Sequence, residues 1–218
     1  MSEQVQSKDV VLQAQNFWNK NQKNILIALT AIVVLVGGWY GYQQYIVKPN
    51  EEKAADAIYK AQEYFAKDSV SKALNGDGAT KGFLYVIKNY GSTKSGNLAH
   101  YYAGICYLKL GDFNNAIKHL EDFSTDAPQV KILSLGALGD AYAEAGKKAD
   151  AVEKYKKAAT VFTDDESLSA EYLFRAALLQ ETLGKTKEAL ELYKELKEKF
   201  PKTDKGFQAD KYIARLGS

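Results

Sequence analysis

The chain has 218 residues, and its 29 basic and 27 acidic side chains leave a formal charge of only +2. From Lys48 onward the balance is 26 to 25, so no basic face is available to track phosphates, and nucleic acid is excluded as an expected partner. The one cysteine, Cys106, cannot form an internal disulfide and lies in the apolar run Ala103-Gly104-Ile105-Cys106-Tyr107-Leu108, where it reads as a small core residue.

The 24 residues between Lys23 and Lys48 carry no formal charge, and Ile25 to Tyr42 is their apolar heart. About 20 apolar residues cross the hydrocarbon core of a bilayer. Residues 25–47 therefore predict one transmembrane helix, with 1–24 as a separate N-terminal segment. A polar lead of 24 residues and the bulky Trp39, Tyr40, Tyr42 and Tyr45 at the far end, with no small-x-small site, argue against a cleaved signal peptide. Those aromatics suit an interfacial belt, matched on the near side by an amphipathic run of Val10, Val11, Ala14, Phe17 and Trp18. Lys8, Lys20 and Lys23 before the span are balanced by Lys48, Lys53, Lys60 and Lys67 after it, so charge does not orient the helix. Gly37 and Gly41 form a small-xxx-small pair that can seat a partner helix, although glycine is also simply frequent in membrane helices.

Residues 48–218 predict an all-α domain, and the reason is internal repetition with a period near 35 residues. One unit (about 97–129) carries Ala103-Gly104, Tyr107, Leu110-Gly111, Phe113, Ala116, Leu120 and Pro128. A second (132–163) carries Leu138-Gly139, Tyr142, Ala145-Gly146, Ala151, Tyr155 and Ala158-Ala159, and a third (170–202) Ala176-Ala177, Leu183-Gly184, Ala189, Tyr193 and Pro201. This is the tetratricopeptide pattern of a helix-pair solenoid. Gly104, Gly139 and Ala177 let helix A approach helix B, and Gly111, Gly146 and Gly184 turn the chain between them. An irregular first pair is expected over 51–90, from helices at Glu51–Lys67 and Thr80–Asn89 joined by the glycine-rich turn Leu74–Gly82. A capping helix is expected over 207–216, because Tyr90 to Gly96 and Phe200 to Gly206 share the order aromatic, stop, cap.

No side-chain constellation predicts catalysis, and no cofactor or metal site is expected. His100 and His119 are 19 residues apart on different predicted helices, with His119 expected to be solvated. What a repeat array offers is a groove walled by helix A. Its register assigns Tyr101, Ile105 and Leu108, then Asp140 and Glu144, then Phe174 and Leu178, giving apolar ends and an acidic middle suited to a peptide segment. The same side chains can instead pack against the neighbouring unit or the C-terminal cap.

The order of parts adds a resemblance. Ala14-Gln15-Asn16-Phe17-Trp18-Asn19-Lys20-Asn21 leads into a span ending in Gly38-Trp39-Tyr40, then through an Ala-rich helix into the repeats. This resembles the YfgM-like ancillary proteins of the bacterial SecYEG translocon over essentially the whole chain. The resemblance implies a single-pass inner-membrane protein with a cytoplasmic N-terminus and a periplasmic repeat domain. Its implied partners are translocon subunits, a PpiD-like membrane-anchored chaperone and client peptides, besides the bilayer itself. A structural scaffold in another cell-envelope assembly is the alternative.

Overall fold

The computed structural model describes residues 2–217, with side chains from Leu12 onward apart from Ala14. Residues 1–50 and 51–218 form two compact units. In the first, α1 (Ser2–Tyr42) runs into a π-helical turn, Gln43–Val47. The apolar side chains of α1 find no cover within this unit: Ile27, Val33, Leu35 and their neighbours are more than half exposed. Nothing lies within 4 Å of where a Cβ would stand at Gly37 or Gly41. The polar exception, Thr30, donates its hydroxyl to the Leu26 carbonyl at 2.8 Å, so the helix meets its own hydrogen-bonding needs. By length and composition this helix is able to cross a membrane. Phe17 and Trp18 are exposed on it; the side chains of Val10, Val11 and Ala14 lie outside the described residues.

The helices that follow are α2 (Lys48–Ala66), α3 (Val70–Asn75), α4 (Phe83–Tyr90), α5 (Lys94–Lys109), α6 (Phe113–Asp122), α7 (Pro128–Glu144), α8 (Lys148–Val161), α9 (Glu166–Thr182), α10 (Thr186–Lys199) and α11 (Asp204–Leu216). No strand occurs among the described residues. The array is an all-α tetratricopeptide-type solenoid in which α5/α6, α7/α8 and α9/α10 are consecutive helix pairs.

Each A helix of these pairs ends in the same way. Gly111, Gly146 and Gly184 adopt φ of 77°, 77° and 72°, a region that costs a side-chain-bearing residue about 1–2 kcal/mol. The left-handed residue lets two amides fold back on orphan carbonyls: Gly111 N–H donates to Leu108 O (3.2 Å) and Asp112 N–H to Tyr107 O (3.0 Å), with equivalents at Gly146–Lys147 and Gly184–Lys185. Helix starts are capped by side chains: Asp112 accepts from Asn115 N, and Asp165 from Leu168 N. Thr93 and Thr203 share one geometry, each hydroxyl accepting from Gly96 or Gly206 N and donating to the carbonyl of Tyr90 or Phe200.

The first pair departs from the expected helix–turn–helix. Leu74 and Ala73 bury themselves on a short extra helix, α3, and the glycine-rich segment closes through a bridge between Gly76 and Lys81. Asp77 fastens that turn, accepting from Thr80 N at 2.8 Å and from Tyr64 Oη at 2.6 Å.

Three apolar clusters run along the array. Ile58, Leu74, Phe83, Val86 and Cys106 fill the first, Ile117, Leu120, Leu138 and Ala141 the second, and Val152, Tyr155, Leu173, Leu192, Tyr193, Leu196 and Phe200 the largest. In the first two pairs, α5/α6 and α7/α8, the helices meet over a missing side chain. A Cβ on Gly139 would stand 2.5 Å from two ring carbons of Tyr155, and one on Gly104 2.5 Å from Leu120 Cγ. Gly139→Ala should therefore force α7 from α8 and cost about 1–3 kcal/mol, read as a fall in the urea midpoint. Gly37→Ala, with open space around it, should leave that midpoint unchanged.

Candidate protein-binding face

The residues assigned to the inner wall lie on α5, α7 and α9. Tyr101 is half-buried, its ring 5.4 Å from that of Phe123 and 5.6 Å from that of Tyr102. Ile105 and Leu108 pack partly into the cluster of Leu120 and Leu138. Leu178 packs against the C-terminal cluster. Glu144, at the end of α7, is exposed.

Two of the seven follow the alternative of packing against the C-terminal cap or the neighbouring unit. Phe174 is a core residue, 5% exposed. Tyr193 and Tyr212 meet its ring edge-on at 5.9 and 5.2 Å, and Lys205 Nζ lies 4.5 Å over it. The cap helix α11 thus covers the position that an open wall would have left free. Asp140 does not make the middle acidic. Its Oδ1 accepts from Arg175 Nη1 at 2.7 Å and from the Tyr155 hydroxyl at 2.6 Å.

Arg175 also donates Nε to Glu171 Oε1 at 2.8 Å, and Lys205 Nζ stands 3.3 Å from Glu171 Oε2. Burial opposes ionisation of Glu171, but these two cations hold its carboxyl below the usual range. The middle of the face is therefore an ion-paired strip of two carboxylates and two cations. The same device recurs at the next pair: Tyr193 donates to Glu181 Oε1 at 2.6 Å while Arg215 Nη2 donates to Oε2 at 2.5 Å. Burial and then the carboxylate partner push the hydroxyls of Tyr155 and Tyr193 well above the ordinary tyrosine range. Sequence register did not find these partners, because Arg175 belongs to a different repeat from Asp140.

Away from that strip, a cleft of about 580 Å³ opens between the α6–α7 connection and α8. Lys131, Lys154 and Lys157 line it with Ser124, Thr125 and Ser134. Asn97 holds Ser124, one of the lining residues, by accepting from Ser124 N (3.0 Å) and donating to Ser124 O (2.7 Å).

His119 is buried, not solvated. It is 8% exposed, stacked on the Tyr107 ring at 5.3 Å, with Nδ1 3.2 Å from Nδ1 of His100. Asp122 Oδ2 lies 3.7 Å from the same His100 nitrogen. The fold thus joins the two histidines that the sequence places on separate helices. The available sequence signal was the spacing His119-x-x-Asp122, which puts both side chains on one face of α6.

Removing the Phe174 ring tests its reassignment. Phe174→Ala should lower stability by about 3–5 kcal/mol, measured by urea denaturation, and should do so in the absence of any partner.

A family profile described as a tetratricopeptide repeat-like domain matches residues 15–138, and a second, described as a tetratricopeptide repeat, matches residues 137–203. A comparison with curated proteins finds no match. Tetratricopeptide proteins are generally non-catalytic interaction scaffolds, in keeping with helix pairs whose signature glycines serve here in close packing and turning. With the first profile covering more than half of its length, the chain belongs to the tetratricopeptide repeat-like domain family.

Proposed function

We propose that this protein is a membrane-anchored interaction scaffold and an ancillary subunit of the Sec translocon, helping to hand secreted proteins to periplasmic chaperones. The observation that carries the anchored-scaffold part is the extent of the family match, which begins at residue 15 inside α1 and continues through the apolar stretch into the repeats. Anchor and array thus fall within one family unit, as expected of a scaffold held at a membrane. The translocon assignment rests on the YfgM-like order of parts. In this reading residues 1–24 are cytoplasmic, 25–47 span the inner membrane, and 48–218 form the periplasmic repeat domain, without catalytic activity of its own. The partner face comprises Tyr101, Ile105, Leu108, Asp140, Glu144 and Leu178, with Phe174 withdrawn into the core. Gly37 and Gly41 are the proposed contact for a helix of a membrane partner, where two backbones can approach.

Mild detergent extraction of the tagged chain followed by affinity purification should recover translocon subunits and a PpiD-like chaperone. Their reproducible absence refutes the translocon assignment, and recovery of another envelope assembly instead selects the alternative scaffold. Glu144→Lys reverses an exposed charge at no cost to packing. It should reduce recovery severalfold with an unchanged thermal midpoint, and undiminished recovery removes Glu144 from the face.

Topology is tested by thiol labelling. Cys106 is fully buried, and burial pushes its thiol up to about 12, so the native cysteine should stay silent near neutral pH. Ser92→Cys in a Cys106→Ala background places a thiol in the exposed turn before α5. An impermeant maleimide should label it in intact spheroplasts; protection until lysis reverses the assigned orientation.

A further inference from the structure

His100, His119 and Asp122 do no work in the proposed scaffold function, yet their ligand-type atoms all lie within 4.8 Å of one another. We propose that they form a binding site for a single divalent transition-metal ion of the zinc type, ligated by Nδ1 of both histidines and a carboxylate oxygen of Asp122.

The spacing is that of a coordination shell. Two imidazole nitrogens on a tetrahedral ion at about 2.0–2.1 Å stand about 3.3 Å apart, with their ring centroids about 5.2 Å apart. Here the two Nδ1 atoms are 3.2 Å apart and the ring centroids 5.2 Å. A collinear N–H···N hydrogen bond of the same length would carry the centroids to about 5.5 Å. Asp122 Oδ2, at 3.7 Å from His100 Nδ1, needs only a small rotation, and its side chain is half exposed and free to make it.

The surroundings agree with this ligand set. Both rings are held on rigid elements, His100 on α5 and His119 on α6, with His119 fixed in plane by the stacked Tyr107. Burial lowers the proton affinity of both histidines, and the neighbouring Lys118 lowers it further, while Asp122 opposes the shift. Two nitrogens and one oxygen select a zinc-like ion over calcium or magnesium, which require oxygen ligands. Three protein ligands leave a fourth position for water or for a side chain of a docking partner. Bound metal would clamp α5 to α6, the first regular pair of the array.

The full-length chain, purified in detergent and stripped with chelator, is titrated with zinc chloride and, separately, cobalt(II), calcium and magnesium chlorides. One zinc per chain should bind saturably and raise the thermal midpoint, and cobalt(II) should give the intense visible bands of a tetrahedral site. Calcium and magnesium should do neither. Asp122→Asn and His100→Gln, which keep size and disturb little packing, should weaken zinc binding by at least the roughly 10–100-fold that loss of an outer-shell partner alone costs. Their metal-free midpoints should match wild type. No stoichiometric zinc binding by the wild type overturns the proposal, as does zinc binding that survives either substitution unchanged. His119→Gln is a third variant; should it unfold through loss of the Tyr107 stack, the other two still decide.

Discussion

Everything in the repeat domain depends on how closely the two helices of a pair approach. Leu120 lies against the backbone of α5 at Gly104, and the Tyr155 ring lies against that of α7 at Gly139, so that a methyl at either glycine would collide with its neighbour. That contact sets the helix separation, and the separation decides which side chains reach the next pair. It also explains why the B helices carry large residues opposite small ones: Tyr155 and Tyr193 fill the space that their partners leave.

Close approach brings polar consequences with it. A tyrosine ring driven across a helix crossing carries its hydroxyl into the interior, where an unpaired hydroxyl is costly. In two successive pairs the fold meets this demand alike: the hydroxyl donates to a carboxylate of helix A, and an arginine donates to the same carboxylate. Both arginines in the chain serve here, where a planar guanidinium suits a shared carboxylate better than the ammonium of lysine. The Asp140–Arg175 bond joins α7 to α9, so the device also couples one pair to the next. The candidate face is consequently electrically balanced at its centre, with Glu144 as an exposed acid at its edge.

The C-terminal end shows why a solenoid needs a cap. Without α11, Phe174 and Tyr193 would lose the Tyr212 ring that packs on both. With it, Tyr212 stacks on Tyr193 at 4.7 Å, Lys197 pairs with Asp210, and Arg215 anchors the cap to Glu181 of α9. At the other end Glu51 accepts from Lys94 N at 3.0 Å, fastening the start of α2 to the start of α5. The two ends thus use different means to the same purpose.

Much of this architecture is local and was legible in the sequence. The apolar helix follows from an uncharged stretch. The helix pairs follow from glycines whose left-handed turns and missing side chains are properties of single positions, and the likeness of Tyr90–Gly96 to Phe200–Gly206 reflects one capping geometry used twice. The short helix α3 was not legible, because six residues beside a glycine-rich turn carry too little periodicity to separate a helix from a loop. Nor was the state of the candidate face. Phe174 and Asp140 hold the right register for an inner wall, but burial by α11 and capture by Arg175 depend on residues 30 or more positions away in the chain. The same holds for His100 and His119, which sequence separates by 19 residues and the crossing of α5 with α6 sets within hydrogen-bonding distance. Sequence alone determined where the chain turns and which residues must be small; the tertiary structure decided which polar and aromatic groups meet, because those meetings arise only once the helices have packed.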